Sequence, residues 1–120
     1  MSGITPLGQA KLARLAEVQR PAQTIHGLTE QFATARSGED QIAQQIKRRY
    51  RQYKLKLMGA GFDHLSQLAG AMEIAAGRNS SRRTKARILR EGIASIRTQL
   101  EFEEKDIVRS ETIEREPKAE

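Results

Sequence analysis

The stretch Arg82–Arg109, RRTKARILREGIASIRTQLEFEEKDIVR, decides the fold. Its apolar residues Ala86, Leu89, Ile93, Ile96, Leu100 and Ile107 recur at steps of three, four and seven, the spacing that lines one face of an α-helix. No stop signal follows before Pro117. A helix from Arg82 to Glu116 would be about 50 Å long, so its end either frays or projects beyond a bundle of shorter helices. Phe102 lies off the main stripe, as does Ile88 two heptads earlier, and the two are expected to form a second seam for a partner subunit or another copy of the chain.

Working outward, the same period recurs on the N-terminal side. Leu65, Leu68, Met72 and Ala75 mark a third, short helix, with Asp63 expected as its cap and Gly77 as its end. Ile42, Ile46, Tyr50, Tyr53 and Leu57 mark a second, opened by Ser37 as cap and by Glu39 and Asp40 in the first turn, and closed by Gly59-Ala60-Gly61. The first region opens at Thr5-Pro6 and carries Leu7, Leu12, Leu15, Val18, Ala22, Ile25, Leu28 and Phe32. Pro21 falls inside it and predicts a kink or a split near Arg20, because it removes one hydrogen bond and crowds the preceding turn. The fold class expected is all-α: a compact four-helix bundle with a long C-terminal helix.

A chain of 120 residues with 38% hydrophobic residues supports one modest core and excludes a two-domain cofactor enzyme. It has no Cys, and its two His, His26 and His64, sit 38 positions apart, so neither thiolate chemistry nor a His-based metal site is expected. The acids Glu101, Glu103, Glu104 and Asp106 lack the Glu-x-x-His partners of a carboxylate-bridged metal bundle. No enzyme activity, cofactor or small-molecule substrate is expected. The N-terminus lacks a signal peptide's charged and apolar regions, and no stretch is long enough to cross a bilayer, which predicts a cytoplasmic protein.

The net charge is +6 and the pI about 10.1. Residues 101–120 hold eight acids and four bases, leaving +10 on residues 1–100. The domain reading is therefore a basic helical bundle over 1–109 and an acidic, frayed or disordered tail over 110–120, which is expected to compete for the basic body.

Two basic runs are free of acids over their whole length. Lys47, Arg48, Arg49, Arg51, Lys54 and Lys56 form one, interleaved with Tyr50 and Tyr53; Arg78, Arg82, Arg83, Lys85, Arg87 and Arg90 form the other. Like charges three and four residues apart repel on a helix, and a polyanion relieves that repulsion. Arginine forks suit phosphate oxygens, so these twelve residues are the candidate nucleic-acid contacts, RNA or DNA. No regular array of Asn, Gln or Arg is read at base-contact spacing, which predicts little sequence preference. Tyr50 and Tyr53 lie on the apolar stripe and are expected in the core rather than stacked on bases. A membrane surface is not expected as a partner, for lack of exposed Trp, Phe or Leu beside the basic runs.

Glu73-Ile74-Ala75 followed by Ser81 and Thr84 resembles the response-regulator type of helix-turn-helix over about 20 residues, a likeness that implies DNA binding. The matching positions Arg78, Ser80 and Lys85 are polar where that family packs its two helices with apolar residues. In architecture alone, a small basic bundle resembles the accessory subunits of nucleoprotein machines, such as CRISPR effector small subunits or the bundle partners of reverse transcriptases. The expected function is thus a non-enzymatic nucleic-acid-binding subunit of a larger assembly. The alternative is a structural or adaptor protein that binds another protein through the C-terminal helix.

Overall fold

A computed structural model describes residues 2–114, with side chains for residues 3–112. Four helices carry the chain: α1 (Pro6–Thr34), α2 (Glu39–Gly59), α3 (Asp63–Gly77) and α4 (Arg82–Ser110). Two three-residue strands, β1 (Ser2–Ile4) and β2 (Thr112–Glu114), pair antiparallel with Gly3 opposite Ile113. The ribbon joins the start of α1 to the end of α4. These helices consequently run antiparallel, as the side-chain bonds from Gln19 to Glu104 and from Arg90 to Glu30 also require. α2 packs on α1 and α3, and α3 packs on α4, so α2 and α4 stand at opposite corners of an all-α bundle.

Helix starts follow local chemistry, with two departures from the sequence expectation. Thr5 caps α1, its hydroxyl accepting from the Gly8 N–H at 2.9 Å, and Pro6 takes the first helical position. Ser37 does not cap α2. Gly38 does, in the left-handed region at φ 74°, where a residue without Cβ is unstrained and its carbonyl accepts from Gln41 and Ile42. Phe62, not Asp63, precedes α3, because it is already committed to closing α2. Its N–H reaches the Leu57 carbonyl at 2.9 Å, while Gly61, at φ 90°, donates to Met58. Ser81 caps α4, accepting from the Thr84 N–H at 3.2 Å.

Pro21 does not split the first region, since α1 is one helix of 29 residues. Leu15 and Val18 before it and Ala22 and Ile25 after it are buried on the same bundle face. Keeping both halves helical holds four side chains in the core, and burial at about 1.5–3 kcal/mol per large apolar side chain outweighs one lost hydrogen bond.

The core runs from Leu15 to Phe32 on α1 and from Ala86 to Leu100 on α4, closed by Ile46, Tyr50, Tyr53 and Leu57 from α2 and by Leu65, Ala69 and Met72 from α3. Gly92 lets α3 approach α4, for the Met72 sulfur occupies the place a Cβ would take. Beyond this four-helix part, α1 before Leu15 buries only Gly8, and α4 after Leu100 buries nothing fully. These ends form a two-helix extension, and the molecule measures 64 × 25 × 17 Å. Its radius of gyration is 17.8 Å against about 14 Å for a compact domain of this length, so the bundle is compact only over its four-helix part.

The extension is tied by polar contacts at its tip. Glu111 accepts from the Thr5 hydroxyl at 3.1 Å and from the Lys11 ammonium at 2.9 Å, and its carbonyl accepts from the Thr5 N–H. Both donors hold the Glu111 carboxyl below the usual carboxylate range. A Cβ at Gly8 would lie 2.6 Å from the Glu111 Cβ, so glycine is needed for this approach. α4 thus ends at Ser110, not near Pro117, and residues 111–114 of the segment read as a loose tail are held in the tip and ribbon. The rest of that tail, 115–120, lies outside the described residues.

Candidate nucleic-acid interface

On α2 the core stripe fixes where each cation of the first basic run points. With Ile46, Tyr50, Tyr53 and Leu57 inward, Lys47, Arg51 and Lys54 fall on the α3 side, Arg49 and Lys56 on the α1 side, and Arg48 faces outward. The α3 side is neutralised in part. Glu73 of α3 accepts from Arg51 at 2.8 Å and from Lys54 at 3.0 Å, with its side chain only 12% exposed. These two hydrogen bonds hold its carboxyl below the usual range. Lys47 lies along Gly77, where the missing Cβ leaves room for the lysine stem and sets its ammonium beside the C-terminal end of α3.

The second run has been drawn on in the same way. Arg90 makes a two-pronged contact with Glu30 of α1, at 2.9 and 2.8 Å, which lowers the glutamate pKa and raises that of the arginine. Arg82 donates to the Ala35 carbonyl at the end of α1. The Lys85 ammonium stands 6.0 Å from the Phe32 ring centroid. Among the described residues, Arg48, Arg49 and Lys56 of the first run and Arg78, Arg83 and Arg87 of the second are exposed and make no ion pair. The two runs adjoin at the C-terminus of α3, because Lys47 rests on Gly77, the residue before Arg78. Arg36, exposed in the turn after α1, stands one residue from the carbonyl that Arg82 holds. Sequence reasoning missed it because it belongs to neither run.

No protein-family model, curated protein or solved structure matches this chain.

Charge divides along the molecule. Residues 30–91 carry 13 Lys and Arg against 6 Asp and Glu, whereas the other 58 residues carry 8 against 9. The described acids Glu101, Glu103, Glu104, Asp106 and Glu111 stand on the extension and its tip, and the rest of the tail expected to compete for the basic body, residues 115–120, lies outside the described residues.

Tyr50 and Tyr53 are buried, so neither is available to stack on a base. The Tyr53 hydroxyl donates to the Val18 carbonyl at 2.5 Å; the Tyr50 hydroxyl, like His26 Nδ1, has no partner among the described residues. Burial pushes both tyrosine pKa values above their ordinary range. Ile88 is half-buried against the core, while Phe102 is 61% exposed on the extension, so the two do not form one exposed seam. The helix-turn-helix landmark Glu73 is committed to α2, and Ile74 is 61% exposed. Leu55, 62% exposed, and Met58 stand beside the α2 cations, which removes the sequence argument against a membrane surface. No described helix is long and apolar enough to cross a membrane, and no three described His, Asp or Glu side chains group as metal ligands would.

Proposed function

We propose that this protein is a non-enzymatic nucleic-acid-binding subunit of a larger assembly. What carries this reading is the set of six exposed cations, three from each basic run, whose side chains make neither an ion pair nor a hydrogen bond among the described residues. Unpaired Arg83 and Arg87, four residues apart on α4, repel one another in the free protein, and phosphates relieve that cost while releasing condensed counterions. The exposed Phe102, with Leu7 and Val108 on the same extension, supports a protein contact at the other end, as an assembly subunit needs.

The test is fluorescence anisotropy with labelled single strands and duplexes of RNA and DNA over a salt series. Contact with about five phosphates gives a slope of about −4 to −5 in log K against log salt on duplex DNA. Affinity that is independent of salt, or no binding at low salt, overturns the reading.

A further inference from the structure

The outward face of α2 differs from its two shoulders. At about 100° per residue, Gln41, Gln45, Arg48 and Gln52 fall within a sector about 60° wide, opposite the buried stripe, and all four are exposed. Gln44 and Arg49 border them on the same helix. Leu55 extends the line. From Gln41 to Phe62 the sequence has no acid. Cations stand on both sides of this crest: Arg49 and Lys56 toward α1, Arg51 and Lys54 toward α3, with Arg51 fixed in place by Glu73.

We propose that this crest reads base edges in the major groove of duplex DNA, an assignment that rests on the nucleic-acid reading above and adds sequence preference to it. A glutamine amide presents one donor and one acceptor, the complement of adenine N6–H and N7. An arginine fork presents two donors, the complement of guanine O6 and N7. Leu55 offers an apolar contact to a thymine methyl. Gln41 to Gln52 covers about 16 Å, or about five base pairs. A helix of 10–12 Å diameter fits the roughly 12 Å major groove of B-DNA, whereas the major groove of an RNA duplex is too deep and narrow to be read by side chains. The shoulder cations then meet the two flanking phosphate backbones. Exposed Asp40, one residue before the crest, repels phosphate at that end, so contact centres on Gln45 to Gln52. The array was missed in the sequence because Gln41, Gln45 and Gln52 carry no charge and only Arg48 of the crest belongs to a basic run.

The experiment is selection of duplexes from a library of 20-base-pair DNA with a randomised centre, using the full chain, followed by anisotropy on individual duplexes at one salt concentration. The selected duplex should bind about tenfold tighter than a shuffled duplex of the same composition, and an RNA duplex of the selected sequence should show no such preference. Arg48→Ala should lower the selected-to-shuffled ratio about fivefold or more. Lys56→Ala should weaken both duplexes alike. Equal binding of selected and shuffled DNA, or the same preference on RNA, overturns the assignment while leaving the general nucleic-acid reading intact. No binding to any duplex or single strand at low salt removes that reading itself.

Discussion

α2 carries six cations without an intervening acid and α4 carries five, with Arg78 of the same run at the end of α3, yet the bundle treats the two helices differently. On α2 one carboxylate, Glu73, gathers two cations of the same shoulder, leaving the opposite shoulder and the crest open. On α4 the partners are scattered: Glu30 takes Arg90, the Ala35 carbonyl takes Arg82, and the Phe32 ring meets Lys85. Repulsion within a helix can therefore be relieved from neighbouring helices. Only the cations that tertiary structure leaves unpaired are informative about an external anion.

Charge reversal probes that remainder most strongly. Arg48→Glu with Arg49→Glu on α2, and Arg83→Glu with Arg87→Glu on α4, should each lower nucleic-acid affinity at low salt by about tenfold or more, because each pair replaces two attractions by two repulsions. Helical circular dichroism should be unchanged, since all four side chains are exposed. An α2 pair that leaves affinity untouched while the α4 pair abolishes it would confine the interface to α4.

A second test concerns how firmly α2 is held. Tyr53→Phe should cost about 1 kcal/mol in denaturant unfolding, because a buried hydrogen bond to Val18 is lost. Tyr50→Phe should be neutral or stabilising, because its hydroxyl has no described partner. Both tyrosines have folded pKa values raised by burial, so their contribution is complete below the unfolded value of about 10. It is lost as pH rises past that value, where the unfolded chain ionises and the folded one does not. Melting curves at rising alkaline pH should fall less steeply in each Phe variant.

The smallest effect separates the acidic partners. Glu73→Gln frees Arg51 and Lys54 together and should raise affinity about twofold to fivefold at low salt, whereas Glu30→Gln frees only Arg90 and should do less. Both glutamates have pKa values lowered by their cations, chiefly through hydrogen bonds. Their stabilisation is present above the unfolded carboxylate value of about 4.3 and is lost as pH falls through the lower folded value. Wild type should lose more stability on acidification than either variant. Equal affinity of all three proteins would mean that these cations lie outside the interface.

The all-α class, all four helices and the large buried side chains were legible in the sequence, whereas Leu7, expected on the α1 stripe, is 59% exposed, and small or polar buried residues such as Thr29, Ala43, Ser66 and Ala76 were not read. The apolar period of Ile46, Tyr50, Tyr53 and Leu57 or of Leu89, Ile93, Ile96 and Leu100 is a local signal that burial then enforces. Terminal signals were legible where one residue decides them, as at Thr5, and misread where a neighbour competes, as at Gly38 against Ser37.

The sequence by itself thus determined the helices, their inward faces and the positions of the twelve cations, because each depends on residues within one or two turns. Tertiary structure decided the rest. Pro21 stays within α1 because core contacts on both sides outweigh a lost bond. α4 stops at Ser110 because Thr112–Glu114 finds β1 more than 100 residues away, with Glu111 closing on Thr5 and Lys11. Which cations remain free depended on Glu30 and Glu73, far from their partners along the chain, since a Coulomb interaction acts through distance in space and not through separation in sequence.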